Sequence, residues 1–419
     1  MSRRCSVHPA PRHPRLRLFL AALLAHRDLG GVEAPRPRRS ACHALLCRLS
    51  LVAITVALTY APAPSRAAPL PLAQARLALP AYTVPAGWAV ASDSLLVYPL
   101  PTPLLQPTAP LADHPVPAFR DRLVAVDLRL QGARLLTSRP RLLVSGPRGL
   151  ALSLWSVSGG WLIYTQSSPL SLGGPWALIA RQVATGRAVL LDTPAREGAP
   201  SVAPAASSDG HTVVWQSWTR VHGRETSVIR AYNLATGQRH LLVQGGSVGS
   251  WFYAWPAVSG QRVVFARVLA AAPPLRAQML LASLATGTVR PLTPLTNGLA
   301  APAISGDLVV WLARQVQGAG QQVALVNLRT GAHELLDGSF MEAPKAVAGR
   351  YALFPTGNPG LLRLYDTWGG RTMTLAAPHG NEHPGNMVGA GEHTIVYGVG
   401  AYSSTTTALP SYLVVARLP

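Results

Sequence analysis

Two short stretches of this 419-residue chain have residue types and spacing that can do chemistry in the right setting. His379-Gly380-Asn381-Glu382-His383 fits an H-x-x-E-H pattern. Zinc binding by that pattern needs a helix to bring both imidazoles onto one face. Gly380 interrupts the span, and Pro384 and Gly385 follow it, so a polar loop is predicted and no metal centre. Gly245-Gly246-Ser247-Val248-Gly249 fits G-x-S-x-G, which makes a nucleophile only between a strand and a helix. Here Ser250 and Trp251-Phe252-Tyr253 follow and lead into another extended run, so a turn is predicted. The glutamates Glu197, Glu225, Glu334, Glu342, Glu382 and Glu392 are scattered, and no spacing pairs them for acid–base work. Asp209 and Asp307 read as turn formers. No cofactor is called for.

The elements that hold these residues are repeats, which have to be sought before anything else because they decide the fold. PAISGDLVVWLARQ begins at Pro302, and VALVNLRTGAHELL follows after a loop. The same frame recurs from Ala89, Ser156, Pro204, Pro256, Ala346 and Gly389. Aligned glycines at 159, 210, 260, 306, 349 and 391 set a period of about 42 to 51 residues. Each copy holds short β-branched or aromatic runs separated by Gly, Asp or Asn turns. Thr185-Gly186, Thr236-Gly237, Thr286-Gly287, Thr330-Gly331 and Gly369-Gly370 suit a hairpin between the third and fourth strands. No sustained helical period appears. The prediction is an all-β, single β-propeller of about seven four-stranded blades, with six or eight as alternatives.

These units resemble TolB-type (WD40-like) propeller repeats. Ser207-Ser208-Asp209-Gly210-His211-Thr212-Val213-Val214-Trp215 is similar to that family's SPDG…IAF element, with serine in place of proline. Ser305 to Trp311 is similar to the form found in surface proteins. The resemblance covers most of residues 82–419 and implies an extracytoplasmic binding scaffold, with function carried by analogy alone.

The last copy stops at Pro419 without a fourth strand. Leu72–Leu79 (LAQARLAL) is expected to fill that place and join the two ends of the chain.

Residues 1–67 read as a leader. Arg48 precedes the apolar run Leu49–Ala61, and Pro62, Pro64 and Ser65-Arg66-Ala67 follow, which are the three parts of a secretory signal. An uncleaved anchor is the alternative, although the run is short for a span. The segment before Arg48 fits either an extended leader or a misassigned start. Cys5, Cys42 and Cys47 all lie in the leader, so 68–419 has neither disulfide nor thiolate ligand.

The net charge of +20 does not signal nucleic acid. The leader carries eleven arginines against Asp28 and Glu33, which leaves +9 there and +11 for the rest. The remaining arginines are dispersed rather than gathered in a stripe.

Loops that enter each blade should converge on one face near the axis. They include Arg196-Glu197, Trp251-Phe252-Tyr253, Asn297-Gly298, Phe340-Met341-Glu342 and the loop through Glu382 and His383. Loops on a rigid frame are where such folds carry function. Trp251, Phe252, Tyr253, Glu197, Glu342, Glu382 and His383 are therefore the candidate binding residues, for a protein or an envelope glycan. The bland alternative wedges Trp251 and Phe252 between blades as core. A propeller enzyme cleaving glycans in the central funnel is the rival to a non-enzymatic exported binder, and a purely structural surface module is a third reading.

Overall fold

The computed structural model describes residues 72–78, 89–100, 121–147, 150–167, 176–194, 204–247, 250–269, 276–297, 301–314, 321–337, 347–355, 362–375, 382–401 and 412–419. All lie in the compact unit Ala67–Pro419, and the leader lies outside them.

Their regular elements are strands. β1 (Ala73–Ala78) comes first. Blade 1 holds β2 (Val90–Ala91), β3 (Leu95–Leu100), β4 (Arg122–Gln131) and β5 (Arg134–Thr137), with β6 (Arg141–Ser145) also pairing to β4. Blade 2 holds β7 (Ala151–Ser158), β8 (Trp161–Ser167), β9 (Trp176–Gln182) and β10 (Ala188–Asp192). Blade 3 holds β11 (Ala206–Ser208), β12 (Thr212–Val221), β13 (Arg224–Asn233) and β14 (Arg239–Ser247). Blade 4 holds β15 (Trp251–Ser259), β16 (Arg262–Leu269), β17 (Arg276–Ser283) and β18 (Val289–Pro291), with β19 (Thr296–Asn297) on β17. Blade 5 holds β20 (Ala303–Ser305), β21 (Leu308–Arg314), β22 (Gln321–Asn327) and β23 (His333–Asp337). Blade 6 holds β24 (Val347–Ala348), β25 (Tyr351–Pro355), β26 (Leu362–Asp366) and β27 (Arg371–Leu375). Blade 7 holds β28 (Glu382–Ala390), β29 (Thr394–Ala401) and β30 (Tyr412–Arg417), and takes β1 as its fourth strand. The propeller thus has seven blades.

The second strand of each blade is sandwiched between neighbouring sheets, so both its faces must be apolar. That is why Val213-Val214-Trp215, Val263-Val264-Phe265 and Val309-Val310-Trp311 are unbroken buried runs. Their side chains fill the seams: Phe265 of blade 4 packs with Val214 and Ile229 of blade 3. Similar apolar clusters fill the seams between blades 1 and 2, 2 and 3, 5 and 6, 6 and 7, and 7 and 1.

One hydrogen bond recurs in all seven blades. Late in the third strand (Leu128) or just beyond its end, the N–H of Leu128, Val183, Leu234, Leu284, Leu328, Thr367 or Leu418 donates to a carbonyl in the first turn of its own blade. The acceptors are Ser94, Gly160, His211, Gln261, Asp307, Arg350 and His393, at 2.7 to 3.2 Å. The latch residue is aliphatic in six blades and Thr367 in blade 6.

Adjoining first turns also touch. A Cβ on Gly210 (φ +92°) would lie 2.6 Å from the Gly159 nitrogen, so the aligned glycine there is a matter of close approach as well as conformation. Asp209 behaves as the turn former its position suggests. Its Oδ1 accepts from the His211 and Thr212 amides, and its Oδ2 accepts from Gly260 of the next blade at 2.7 Å.

Candidate functional site

Trp251, Phe252 and Tyr253 open strand β15 instead of forming a loop. The chain can enter the strand this early because Gly245 and Gly246 of β14 carry no side chain. A Cβ on Gly245 would lie 2.5 Å from Trp251 Cη2, and one on Gly246 (φ +73°) only 1.9 Å from the Trp251 carbonyl oxygen. Gly245 and Gly246 are therefore a rest for a tryptophan. Ser247 closes β14 and the next described element is β15, so the strand–helix context of a nucleophile is missing.

The three aromatics divide in role. Phe252 is 8% exposed and its ring lies 6.0 Å from Trp218 of blade 3, which makes it part of the seam. Trp251 and Tyr253 are half-buried, edge to face at 5.0 Å, and Tyr253 in turn meets Phe265 at 5.3 Å. The Tyr253 amide donates to Ser227 Oγ (2.9 Å), which donates to the Gly245 carbonyl (2.7 Å). The Arg267 guanidinium lies 5.9 Å from the Trp251 ring. Burial raises the Tyr253 hydroxyl pKa, and the charge of Arg267 partly opposes this. Replacing Gly246 with alanine is expected to destabilise the fold by about 2 kcal/mol or more, since both φ and the Trp251 carbonyl oppose a Cβ. A thermal melt within 1 °C of the parent would refute that packing.

Glu382 and His383 open strand β28 where a polar loop was expected, and a strand is not the helix that the H-x-x-E-H pattern needs. Glu197 and Glu342 lie outside the described residues, as do Arg196, Gly298, Phe340, Met341 and His379. Asn297 ends β19.

Most described carboxylates are held in structural contacts. Asp93 accepts from the His393 amide (2.8 Å) and Thr394 Oγ1 (3.1 Å), and pairs with Arg417 (3.1 Å), tying blade 1 to blade 7. Ligand atoms of Asp93, Glu392 and His393 lie within 4.8 Å of one another, but Asp93 is already taken by this clamp. Asp307 pairs with Arg262 across the seam of blades 4 and 5. Asp192 is fully buried and is hydrogen-bonded to Trp215 and Ser217.

A concave feature lies between blades 5 and 6, at the end carrying the third-to-fourth-strand turns. It is a cleft of about 380 Å³ floored by Leu308 and Leu325, with Asn327, Arg329, Glu334 and Trp368 among its walls. Trp368 is 77% exposed. The Arg350 guanidinium lies 4.8 Å from its ring centroid and 4.9 Å from that of Tyr351, and its Nε is 3.3 Å from Asp366 Oδ1. The Tyr365 hydroxyl donates to Glu334. Its pKa is pushed up to about 12 by desolvation first, then by the bond to Glu334 and by the charges of Glu334 and Asp366, so it remains a donor at neutral pH. The sequence signal for this cleft was the Trp368-Gly369-Gly370 step, which sequence reading took for a turn alone.

No family model matches the sequence, and no curated protein does. Solved structures do match. An oligogalacturonate lyase in complex with manganese is 13% identical, with a TM-score of 0.50 over 84% of this chain and 98% of that one. TolB from Acinetobacter baumannii is 20% identical, with a TM-score of 0.42 over 70% of this chain and 66% of that one. The β-propeller domain of the Trilobed protease from Pyrococcus furiosus is 11% identical, with a TM-score of 0.42 over 61% and 80%. At such identities the likeness is one of fold.

Proposed function

We propose that this chain is an exported, non-enzymatic propeller that holds a protein or an envelope glycan on the face where the chain enters each blade. The observation that carries this reading is the rigid aromatic edge at the mouth of β15. Trp251 and Tyr253 are only half-buried, while Gly245, Gly246 and Ser227 fix their backbone and orientation. A preorganised aromatic edge loses little freedom on binding and suits an anchor. Phe252 supports it from the seam. The engagement of the described carboxylates in clamps and turns favours binding over acid–base chemistry. Export rests on the leader.

The test is crosslinked capture from the source organism's envelope extract by the purified chain and by Trp251→Ala/Tyr253→Ala. Capture that falls about tenfold or more in the variant, with an unchanged melt, supports this face. Equal capture removes it as the site. For export, the mature N-terminus should be Ala68, and a chain recovered with residues 1–67 attached would point to an anchor instead.

A further inference from the structure

We infer that the cleft between blades 5 and 6 is a binding site for an uncharged oligosaccharide, with Trp368 as its platform. This goes beyond the reading of the loop face and stands whether or not that face binds. The cleft lies at the opposite end of the blades, because strands alternate in direction and the third-to-fourth-strand turns lie away from the blade entries.

The repeat itself marks the site. After the latch residue, the equivalent turns read Ala184-Thr185-Gly186, Ala235-Thr236-Gly237, Ala285-Thr286-Gly287 and Arg329-Thr330-Gly331. Blade 6 reads Trp368-Gly369-Gly370. A tryptophan left 77% exposed where the other copies carry alanine or arginine gains almost nothing for folding. Positions that break a local rule without a packing gain are where function is to be sought. Two smaller departures make the room. Thr367 stands where the six other copies carry the aliphatic latch residue, and Ala332 stands where Arg187, Gln238, Thr288 and Arg371 stand in the equivalent turns. Both line the cleft.

The turn is braced. Asp366 Oδ1 accepts from the Trp368 amide at 3.0 Å, Thr367 Oγ1 donates to the Arg350 carbonyl at 2.8 Å, and Arg350 backs the indole. The chemistry then selects the ligand. A pyranose offers a C–H face to an aromatic ring, and its hydroxyls need side chains that donate and accept in pairs. Asn327, Arg329, Thr330 and Glu334 surround the cleft with such groups. Charge at the site is balanced: Arg262 and Arg329 face Asp307, Arg350 faces Asp366, and Glu334 takes the Tyr365 hydroxyl. That balance argues against a polyanion. A protein partner would be expected to meet several exposed apolar anchors, whereas here one exposed aromatic stands among polar groups and the two leucines beneath it are buried.

The test titrates the purified full chain by calorimetry with maltotetraose, cellotetraose and chitotetraose, and with tetragalacturonate as the charged counterpart. At least one neutral tetrasaccharide should bind. Trp368→Ala and, separately, Thr367→Leu should each weaken that binding about tenfold or more, with melts near that of the parent because Trp368 is exposed. Trp251→Ala should leave it unchanged, which separates this site from the loop face. The proposal is overturned if none of the three neutral tetrasaccharides binds, if tetragalacturonate binds more tightly, or if binding survives both substitutions. Should Trp368→Ala fail to fold, Thr367→Leu gives the same reading.

Discussion

Deleting residues 68–80 should lower the melting temperature by about 10 °C or more and make the protein prone to self-association. β1 supplies the outer strand of blade 7, paired antiparallel to β30 from Ala73↔Arg417 to Ala78↔Tyr412. Its alternate residues Ala73, Ala75 and Leu77 turn inward and pack on the cluster that seals blade 7 to blade 1. On the outer side, Arg76 lies 5.4 Å from the Tyr412 ring. A ladder of this length, at about 1 kcal/mol per hydrogen bond, together with the half-buried Leu77, comes to about 5 kcal/mol or more. Without β1 the edge of β30 is unpaired, and an unpaired edge is a template for another chain. Differential scanning calorimetry and light scattering on the deletion variant read both effects. A melt within about 2 °C of the parent would mean that the ring holds closed without its strap.

Asp192→Ala should cost about 3 kcal/mol, far more than removing any exposed carboxylate. The last residues of β10 carry a register shift between Leu190 and Asp192, and the carboxylate is fully buried. Its Oδ2 accepts from Trp215 Nε1 and Ser217 Oγ of blade 3, each at 2.8 Å, and its Oδ1 accepts from the Thr193 amide at 2.9 Å. Arg239 of blade 3 reaches back to the carbonyls of Leu190 (2.9 Å) and Leu191 (2.7 Å) beside it. Alanine would leave an indole N–H and a hydroxyl buried without their acceptor, since Trp215 is fully buried and Ser217 only 2% exposed. Asp192→Asn keeps the volume and one acceptor and should fall between the two. Urea unfolding followed by tryptophan fluorescence measures the series. Equal midpoints for Asp192→Ala and the parent would show that the network adds nothing to the seam.

These predictions separate the frame from the sites. Closing the ring and stitching the seams give a rigid scaffold, and rigidity is what lets half-exposed Trp251 and exposed Trp368 present fixed ring faces at opposite ends. A loss of binding in either tryptophan variant with an intact melt is a statement about recognition. A loss on cutting β1 or Asp192 is a statement about the fold.

The repeat, the turns and the closing strand were all legible in the sequence. Each rests on local chemistry repeated every 42 to 51 residues: glycine where a turn requires it, and an apolar run where a strand is covered on both faces. The closing strand followed from counting, because seven third strands and six fourth strands leave one place empty. Residue types alone did not show how the blades meet. Trp251 to Tyr253 read as a loop and became a strand because two glycines of the preceding blade make room for an indole. Nothing in the sequence sets Asp192 apart, and it is buried because an irregular ladder brings it to a tryptophan 23 residues away. Trp368 read as part of a turn and became the wall of a cleft because the residues opposite it belong to another blade. The repeat is written along the chain, whereas seams join residues from different copies through contacts that follow no period, so only tertiary structure brings them together.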